Sequence, residues 1–391
     1  MRAAYRRALL VGAVATAVGT AAALPVLAAD PDDSLVKVTA AAGGTPIAGQ
    51  YIVTMKDGAS PQTAADQARA AAVKKFDGVL NGFVAKLDRT QLDRLRHDTK
   101  VAAIEQDQVI KASDVQKAPL PWGLDRIDQR RTPLNKAYSY KAKAANVTAY
   151  VIDTGLDVKH REFGGRAAIS WTAPEFNGDG RDCNGHGTHV AGILGSKTYG
   201  AAKSVKLRAL RVLDCNGEGA MSSLVLAAQW LRTHAAKPAV ANMSVGGPRS
   251  KALNTAVENL SRSGVFVSVA AGNDRVDACK VSPAGAGWVE AVGATSSHDN
   301  RPSWSNYGKC VDIHAPGVHI TSTWPNNGKK MLDGTSMATP YVSGVAALYL
   351  SAHPKASFPE VQKWLRDNST KNRVGGLPRY TPNRLLYKGG L

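Results

Sequence analysis

Acidic and aromatic residues are scarce in this chain of 391 residues. It has 31 acidic residues against 49 Lys and Arg, a formal net charge of +18, and only 6% aromatic residues. No run of Lys and Arg is interleaved with aromatics, which argues against a nucleic-acid-binding surface. The positive excess follows residue 117, since residues 30–117 carry 12 basic and 12 acidic groups and residues 118–391 carry 34 and 19. A solvated basic surface explains this excess most simply, although such a surface also attracts anionic cell wall.

Long apolar runs are missing after the first 29 residues, which excludes a membrane-spanning helix there. The N-terminus has three arginines among its first seven residues, an apolar stretch from Ala8 to about Leu27, and the small residues Ala28 and Ala29. Pro25 and polar residues interrupt that stretch, which favours a removable export signal over a membrane anchor. We therefore expect residues 1–29 to be a signal peptide, and the remainder to be secreted, extracellular and not attached to a membrane.

Cysteine is rare, and the zinc-binding motif HExxH does not occur. Cys183, His186 and His189 are candidate metal ligands with Cys215 as a fourth, but their spacing matches no common zinc pattern. In an exported protein the four cysteines can form disulfides instead, and three pairings are open. The four are Cys183, Cys215, Cys279 and Cys310.

Residues 30–117 predict a small α+β unit. Three segments have strand-like patterns and two have helical patterns. The predicted strands are 50–55, 82–87 and 101–105, and the predicted helices are 61–75 and 90–95, the second with Thr90 as N-cap. The polar, proline-containing stretch 113–121 predicts an exposed linker.

After Trp122 short β-branched runs alternate with helical segments. The predicted strands are 147–152, 207–213, 240–243 and 265–270, and the predicted helices are 222–234, 251–263 and 339–351. This alternation predicts an α/β domain with a mainly parallel sheet and helices on both faces. We expect no further domain after it.

Two segments of this region contain candidate catalytic residues at strand and helix ends. Asp153, in Val-Ile-Asp-Thr-Gly at 151–155, ends a buried strand, where open α/β sheets bind their ligands. A turn or helix cap is the alternative role for such an aspartate. His186 lies in Asn-Gly-His-Gly-Thr-His at 184–189, between glycines that let the backbone bend around it.

The third segment is Gly-Thr-Ser-Met-Ala-Thr-Pro at 334–340. The apolar spacing after it predicts a helix, and Pro340 is tolerated if it lies in the first turn. Ser336 is then at or beside a helix N-terminus, where N–H groups and the helix dipole favour a developing oxyanion. A simple N-cap is the alternative role for Ser336. The segment is not the GxSxG elbow, because Ala338 replaces the second glycine.

The chain order Asp, His, Ser connects the three segments, because a serine nucleophile needs a base and the base needs an orienting acid. Residues 122–387 resemble the subtilisin superfamily, within it the proteinase K branch, and most closely the aqualysin-like enzymes. The matching motifs are AYVIDTGLD at 149–157, DCNGHGTHVAG at 182–192, GTSMATP at 334–340 and TPNRLLY at 381–387. The resemblance implies a subtilisin-like three-layer fold and a serine endopeptidase.

The resemblance also implies a role for each matched residue. Ser336 would attack the peptide carbonyl, His186 would transfer the proton, and Asp153 would orient the imidazole. Asn273 would supply the side-chain donor of the oxyanion hole together with the backbone N–H of Ser336. His189 matches a position outside the triad, so we expect it to be structural.

Two segments match the strands that bind an extended protein or peptide substrate, which implies broad sequence specificity. The implied substrate-binding residues are Asn216, Gly217, Gly219, Ser244, Val245, Gly246, Ala270 and Gly272. Their apolar walls favour apolar or aromatic residues before the cleaved bond. Glu218 beside the groove favours basic side chains locally.

For the cysteines, the resemblance selects the pairs Cys183–Cys215 and Cys279–Cys310. It also implies structural calcium, with Asp312 and carbonyls near Gly287 and Val289 in one site and Asp125, Asp128 and Gln129 in another. Surface ion pairs or helix caps are the alternative for these acidic residues.

Residues 30–117 resemble the inhibitory propeptide of the same family, which would act as a folding template and block the groove until it is cleaved. We expect cleavage between Ala112 and Lys117, leaving residues 118–391 as a monomeric peptidase domain. Two other hypotheses are an inactive binding protein on this fold and a basic, wall-binding protein. The presence of Asp153, His186, Ser336 and Asn273 favours the enzyme.

Overall fold

The structure is a computed structural model that describes residues 35–40, 45–70, 74–76, 81–109, 114–117 and 119–391. Two compact units divide the chain, Met1–Lys111 and Ala112–Leu391. The predicted signal peptide lies outside the described residues.

In its described residues, the first unit contains a five-stranded sheet and two helices. Its strands are β1 (Val38–Thr39), β2 (Thr45–Met55), β3 (Lys74–Lys75), β4 (Gly82–Lys86) and β5 (Val101–Val109), and its helices are α1 (Pro61–Ala68) and α2 (Arg89–His97). The strand order is β1-β5-β2-β4-β3, with β1 and β5 parallel and the other neighbours antiparallel. Val53, Phe83 and Ile104 are fully buried in its core. The predicted α+β unit is confirmed.

Both helices of this unit differ from their predicted bounds. The first ends at Ala68, because Arg69 adopts a left-handed conformation with φ 56°. The second has Asp88, not Thr90, as its N-cap. The Asp88 carboxylate accepts from Gln91 N at 2.8 Å, and the Gln91 side chain accepts from Asp88 N at 2.9 Å, forming a capping box.

The second unit contains a nine-stranded sheet, several small strand pairs and six α-helices. Its strands are β6 (Asp114–Gln116), β7 (Tyr138–Tyr140), β8 (Thr148–Asp153), β9 (Ala167–Thr172), β10 (Lys206–Arg211), β11 (Ala239–Met243), β12 (Gly247–Pro248), β13 (Val265–Ala270), β14 (Val281–Ser282), β15 (Glu290–Thr295), β16 (Ile313–Pro316), β17 (Ile320–Trp324), β18 (Gly328–Leu332), β19 (Thr370–Lys371) and β20 (Arg384–Leu385). Its helices are α3 (Trp122–Ile127), α4 (His186–Gly195), α5 (Met221–His234), α6 (Lys251–Arg262), α7 (Thr335–Ala352) and α8 (Phe358–Asn368). The large sheet has the order β19-β20-β16-β15-β13-β11-β8-β10-β9. Its neighbours are parallel except β19 and β20.

Apolar residues on both faces of this sheet are buried. Along β8, Ala149 and Val151 pack on the side of α4 and α7, whereas Tyr150 and Ile152 pack on the side of α5 and α6. Successive side chains of a strand point to opposite faces, so an uninterrupted apolar run needs a helix layer on each side. The predicted three-layer α/β fold with a mainly parallel sheet is confirmed.

Part of the predicted linker 113–121 is ordered into β6, which pairs antiparallel with β7 in the second unit. Gln116 is half-buried, and its Oε1 accepts a hydrogen bond from the Lys203 ammonium at 2.6 Å. This stretch is therefore not simply an exposed linker.

Polar residues collect at the carboxyl ends of the central strands. Asp153 ends β8, Arg211 ends β10, Ser244 follows β11 and Asn273 follows β13. These strands are parallel neighbours, so their carboxyl ends meet at one edge of the sheet, where open α/β folds bind ligands. Within the described parts of the chain, no helix is long and apolar enough to cross a membrane.

Candidate active site

Asp153 and His186 form a hydrogen-bonded pair. Asp153 is fully buried, and its Oδ1 accepts from His186 Nδ1 at 2.7 Å and from Thr154 N at 2.8 Å. His186 is the first residue of α4, and its side chain is 26% exposed. With Nδ1–H donating to the carboxylate, Nε2 is left as the acceptor that a general base requires.

A second carboxylate, Asp182, holds the start of α4. Its Oδ1 accepts from Thr154 Oγ1 at 2.9 Å and Gly185 N at 2.7 Å. Its Oδ2 accepts from the backbone N–H and the hydroxyl of Thr188, at 2.8 and 2.6 Å. These bonds satisfy N–H groups at the helix start and so determine the direction in which His186 leaves the backbone.

The surroundings of His186 raise its pKa. Burial alone would lower it, but the negative charge of Asp153, the hydrogen bond to that carboxylate and the charge of Asp182 together outweigh burial. The histidine is therefore a stronger base than an isolated imidazole.

Ser336 is the second residue of α7, so the helix starts earlier than residue 339, where we predicted it to begin. Pro340 consequently lies beyond the first turn, contrary to the prediction. Proline has no N–H, so it leaves the carbonyl of Ser336 without its usual helical donor. The Ser244 hydroxyl takes that place, donating to Ser336 O at 2.8 Å. The Ser336 hydroxyl donates back to Ser244 O at 3.0 Å.

These two bonds hold Ser336 against the carboxyl end of β11, and α4 and α7 pack against each other. In the described chain Ser336 Oγ has its hydrogen bond with Ser244 O rather than with His186. Hydrogen bonds in substrate-free active sites are often loose and tighten only in the substrate complex.

Asn273 lies with its amide oxygen turned toward α7. Its Oδ1 accepts from the backbone N–H and the hydroxyl of Thr335, both at 2.9 Å. The amide nitrogen therefore points the other way. A Cβ built on Gly334 would lie 3.7 Å from Asn273 Nδ2 and 3.5 Å from Ser336 N. The two predicted oxyanion donors thus border the same small space.

The residues predicted to bind substrate on the β11 side form an extended run. Ser244 is buried, Val245 is half-buried and Gly246 is exposed. Across from them, Ala270 ends β13, and Gly272 follows with φ 99°. The hydrogen bonds between Ser244 and Ser336 place this run directly beside the candidate nucleophile.

Residues 214–218, predicted to bind the other side of the substrate as a strand, form a turn. Asp214 N donates to Glu218 O at 2.8 Å, and Asn216, Gly217 and Glu218 are exposed. Position 219 has room only for glycine, because a Cβ there would lie 2.2 Å from Val212 O. The glycine at 219 is therefore required by local packing, and its role in substrate binding stays a prediction.

Both disulfides pair as the resemblance implied, Cys183 with Cys215 and Cys279 with Cys310. The first joins the loop before α4 to the turn at 214–218. Because both cysteines of the alternative zinc site are oxidised, that hypothesis loses two of its four ligands.

His189, one helical turn after His186, has a different environment. It is fully buried, and its Nε2 lies 3.0 Å from Lys330 O and 3.2 Å from Ile320 O. Burial lowers its pKa to about 4, so it stays neutral. These contacts fit the predicted structural role, since they tie α4 to β17 and β18.

The carboxylates that the resemblance implies as calcium ligands face donors of this chain. Asp312 accepts from Arg366 Nη2 at 2.8 Å and from Ala291 N at 3.0 Å, one bond on each oxygen. Asp128 is likewise occupied by Lys388 Nζ at 3.0 Å and Ser139 N at 2.9 Å.

Asp125 accepts from Lys136 N at 2.8 Å, and its other oxygen has no partner among the described residues. Calcium takes six to eight oxygen ligands. Where an N–H group or a protein cation already occupies those oxygens, they are not offered to a metal. As arranged, Asp128 and Asp312 have no free oxygen for a calcium ion, and no group of three or more metal-ligating side chains occurs in the described ranges.

Sequence reasoning missed Asp182, Arg211 and the hydroxyl of Ser244. The signals for the first two are visible in retrospect. Asp182 lies three and four residues before Gly185 and His186, as a cap of α4 would, and Arg211 places a charge inside the apolar run 207–213. Ser244 had no such signal, because its role depends on the carbonyl that Pro340 frees.

The chain is similar to two known protein families over most of its length. The sequence profile of the subtilase family matches residues 144–381, and that of the peptidase inhibitor I9 family matches residues 50–113. The chain belongs to the subtilase family. As a subtilase it is a serine protease of the subtilisin type, with an I9 propeptide before the peptidase domain.

Named relatives of this subtilase include extracellular enzymes. An extracellular serine proteinase of Thermus sp. (strain Rt41A) is 50% identical over 316 residues, which cover 80% of this chain and 77% of the relative. Alkaline serine exoprotease A of Vibrio alginolyticus is 45% identical over 80% of this chain, which spans 59% of that longer protein. Proteinase R of Parengyodontium album is 38% identical over 88% of this chain and 90% of its own.

A crystal structure of a cold-adapted subtilisin-like serine proteinase superimposes on this subtilase with a TM-score of 0.68. The two are 46% identical, and the match covers 69% of this chain and 99% of the other. Subtilases commonly bind calcium, so the protein-derived partners of Asp128 and Asp312 set this chain's carboxylates apart from that expectation.

Proposed function

We propose that this subtilase is a secreted endopeptidase that hydrolyses peptide bonds with broad specificity through Asp153, His186 and Ser336. The observation that carries the proposal is the 2.7 Å bond between Asp153 Oδ1 and His186 Nδ1, at a helix start packed beside the one that holds Ser336. That bond selects the tautomer in which Nε2 accepts a proton.

The proposed reaction begins when the Ser336 hydroxyl breaks its hydrogen bond to Ser244 O and turns toward His186. His186 Nε2 takes the hydroxyl proton as Oγ bonds to the peptide carbonyl carbon. The negative charge on the carbonyl oxygen is stabilised by Ser336 N–H and Asn273 Nδ2. His186 returns the proton to the leaving amine, and water, activated by the same histidine, releases the acyl group from Ser336.

Hydrolysis of casein and of chromogenic peptides tests this proposal. We expect purified, processed wild type to cleave both, and Ser336→Ala to lose activity by at least about 10⁴-fold. Asn273→Ala should retain the pair Asp153–His186 and lose about 10²- to 10³-fold in kcat. If wild type and Ser336→Ala are equally inactive after propeptide removal, the chain is a binding protein on this fold.

For specificity, we propose that main-chain pairing with residues 244–246 dominates. The half-buried Asp214 and the exposed Glu218 lie on the turn opposite this run. They would favour substrates with a basic residue near that turn. Glu218→Gln should reduce this preference in a peptide library without changing kcat for a neutral peptide, whereas an unchanged preference would assign it to other residues.

For maturation, we propose that the I9 unit inhibits the peptidase until the chain cleaves itself, and that the cut precedes Asp114. Residues 114–116 pair with β7, and Gln116 accepts from Lys203, so these residues belong with the peptidase domain. N-terminal sequencing and intact mass of secreted wild type and Ser336→Ala test this. Processing of Ser336→Ala at the same bond would mean that another protease makes the cut.

The Thermus relative is named as extracellular, and the first 29 residues have the pattern of an export signal. Both support secretion. We expect the mature enzyme to be a monomer that acts on protein and peptide substrates, which sedimentation of the Ser336→Ala protein would check.

A further inference from the structure

Arg211 is a buried cation at the active-site edge of the sheet. It ends β10, in register with Asp153 on the neighbouring strand β8, and is 5% exposed. The nearest carboxylate oxygen, Asp179 Oδ2, is 3.7 Å away on a residue that is itself 41% exposed. Burial of a charge is unfavourable unless its hydrogen bonds are satisfied. The partners of this guanidinium therefore show what it does.

Most of those partners are backbone oxygens of two different loops. Nη1 donates to Asp179 O and Arg181 O, both at 3.1 Å, and Nε donates to Leu213 O at 3.1 Å. The guanidinium lies over the ring of Phe176, with its carbon 4.5 Å from the ring centroid. A planar group with five N–H donors is suited to holding several carbonyls at fixed angles.

The remaining nitrogen faces the disulfide that joins the same two loops. Nη2 lies 3.3 Å from Cys183 Sγ and 3.9 Å from Cys215 Sγ. Arg211 and the Cys183–Cys215 bond thus lie side by side and connect the same segments, one through hydrogen bonds and one covalently.

Each of these segments leads to part of the reaction site. Residues 179–185 contain Asp182, whose carboxylate binds Gly185 N and Thr188 N at the start of the helix that carries His186. Residues 213–219 contain the turn opposite the substrate run. A shift of about 1 Å in a catalytic group can reduce the rate by about 10²-fold.

We propose that Arg211 is a positioning residue for this protease, acting in parallel with the Cys183–Cys215 disulfide to hold the Asp182–His186 segment against the 214–218 turn. This inference rests on the proposed function. Two parallel connections compensate for each other, so removing one leaves the segments largely in place, and removing both frees them together.

The test compares four chains, which are wild type, Arg211→Met, the pair Cys183→Ala and Cys215→Ala, and the combination of all three. For the processed enzymes we expect Arg211→Met and the cysteine pair each to lose less than about tenfold in kcat/KM, and the combination to lose more than the product of the two. Most of the loss should fall in kcat, because two of the carbonyls that Arg211 holds, Asp179 O and Arg181 O, lie just before Asp182 in the chain. Arg211→Lys should recover part of kcat, since its ammonium can still donate to some of these carbonyls.

Arg208 supplies a matched control on the same strand. Its Nη1 also donates to carbonyls, Arg166 O at 3.0 Å and Leu207 O at 2.7 Å, and neither belongs to the two loops. Arg208→Met should leave kcat and KM within about twofold, and it should not act non-additively with the cysteine pair. The unfolding temperature of each variant separates loss of fold from loss of position.

A readout without catalysis keeps this inference distinct from the proposed function. In full-length chains carrying Ser336→Ala, the titration of His186 by NMR should shift to lower pH when Arg211 and the disulfide are both removed, because Asp182 no longer lies close to it. If wild type has no protease activity while this shift occurs, the proposed function fails and the positioning role stands. Losses that simply multiply, or a lower unfolding temperature with unchanged kcat, KM and His186 titration, would overturn it.

Discussion

Two groups of carboxylates in the peptidase unit are satisfied in different ways. At the end of the sheet, Asp153 and Asp182 accept from N–H groups, hydroxyls and a histidine. Elsewhere in the unit, Asp128 is paired with Lys388 and Asp312 with Arg366. The first group keeps a negative field that acts on His186, whereas the charge of the second is largely neutralised where it sits.

The difference indicates what each group can do. A carboxylate held by neutral donors still raises the pKa of a nearby imidazole. A carboxylate held by an ammonium or guanidinium contributes to the fold and leaves little charge for a reacting group or a metal. The comparison predicts losses of activity in one region and losses of stability in the other.

The largest effect is expected from Asp153→Asn. This change keeps the shape but lets the side chain stabilise the wrong tautomer of His186, so kcat should fall by about 10⁴-fold. Kinetics on enzyme produced with its propeptide supplied separately would measure this. The unfolding temperature should stay close to that of Ser336→Ala. A loss below tenfold would mean that Asp153 does not orient the base.

In the second region, Lys388→Met should remove stability rather than activity. Lys388 and Asp128 have side chains only 3% and 9% exposed, so the change leaves a buried carboxylate unpaired, at a cost of about 3–5 kcal/mol. Urea unfolding in the Ser336→Ala background would show it.

Lys363→Met provides the matched control for Lys388→Met. Lys363 pairs with Asp367 on the surface of α8, with side chains 78% and 57% exposed. Its removal should leave the free energy of unfolding almost unchanged, because solvent screens an exposed pair. Equal effects of the two changes would contradict the contrast between buried and exposed pairs.

A smaller, pH-dependent effect is expected for Asp182→Asn. The pKa of His186 is raised, so in wild type kcat/KM should fall on acidification through a value above the ordinary 6.5 of histidine. Removing the charge of Asp182 disfavours the imidazolium, so the fall of kcat/KM on acidification (the acid limb of the pH–rate profile) should move to lower pH by less than about 1 pH unit.

The plateau rate of Asp182→Asn should fall as well, because the helix start loses its cap. A pH–rate profile measures both effects. An acid limb that stays in place would show that Asp182 acts on His186 through geometry alone.

The smallest effect is expected from metal removal. Because protein donors occupy Asp128 and Asp312, EDTA should lower the unfolding temperature of the Ser336→Ala protein by no more than about 2 °C. In a domain of this size, such a shift corresponds to a loss of less than about 1 kcal/mol in the free energy of unfolding. Arg366→Met should reverse this, since Asp312 would then lose its ion-pair partner and calcium should stabilise the variant. A large EDTA effect on the unmodified site would contradict the comparison.

Much of the site could be predicted from short segments. Asp153, His186 and Ser336 each lie in a motif whose order and glycine spacing are readable, and the alternation of apolar runs predicts the parallel sheet. The helix starting at Thr335 was missed, because Pro340 argued for a later start. The Ser244 hydroxyl offsets the cost of a proline inside the helix, because it donates to the Ser336 carbonyl that Pro340 leaves free. Ser244 is 92 residues away from Ser336 in the chain.

The sequence by itself determined the residue types that the chemistry needs and the strand ends and helix starts that present them, because these depend on local patterns. Only the tertiary structure decided which partners each charge has. Asp182 binds the helix of His186, Arg211 joins two loops beside a disulfide, and Lys388 and Arg366 occupy carboxylates that resemblance assigned to calcium. A buried charge is satisfied by whatever the fold brings within about 3 Å, and that distance is unrelated to separation along the chain.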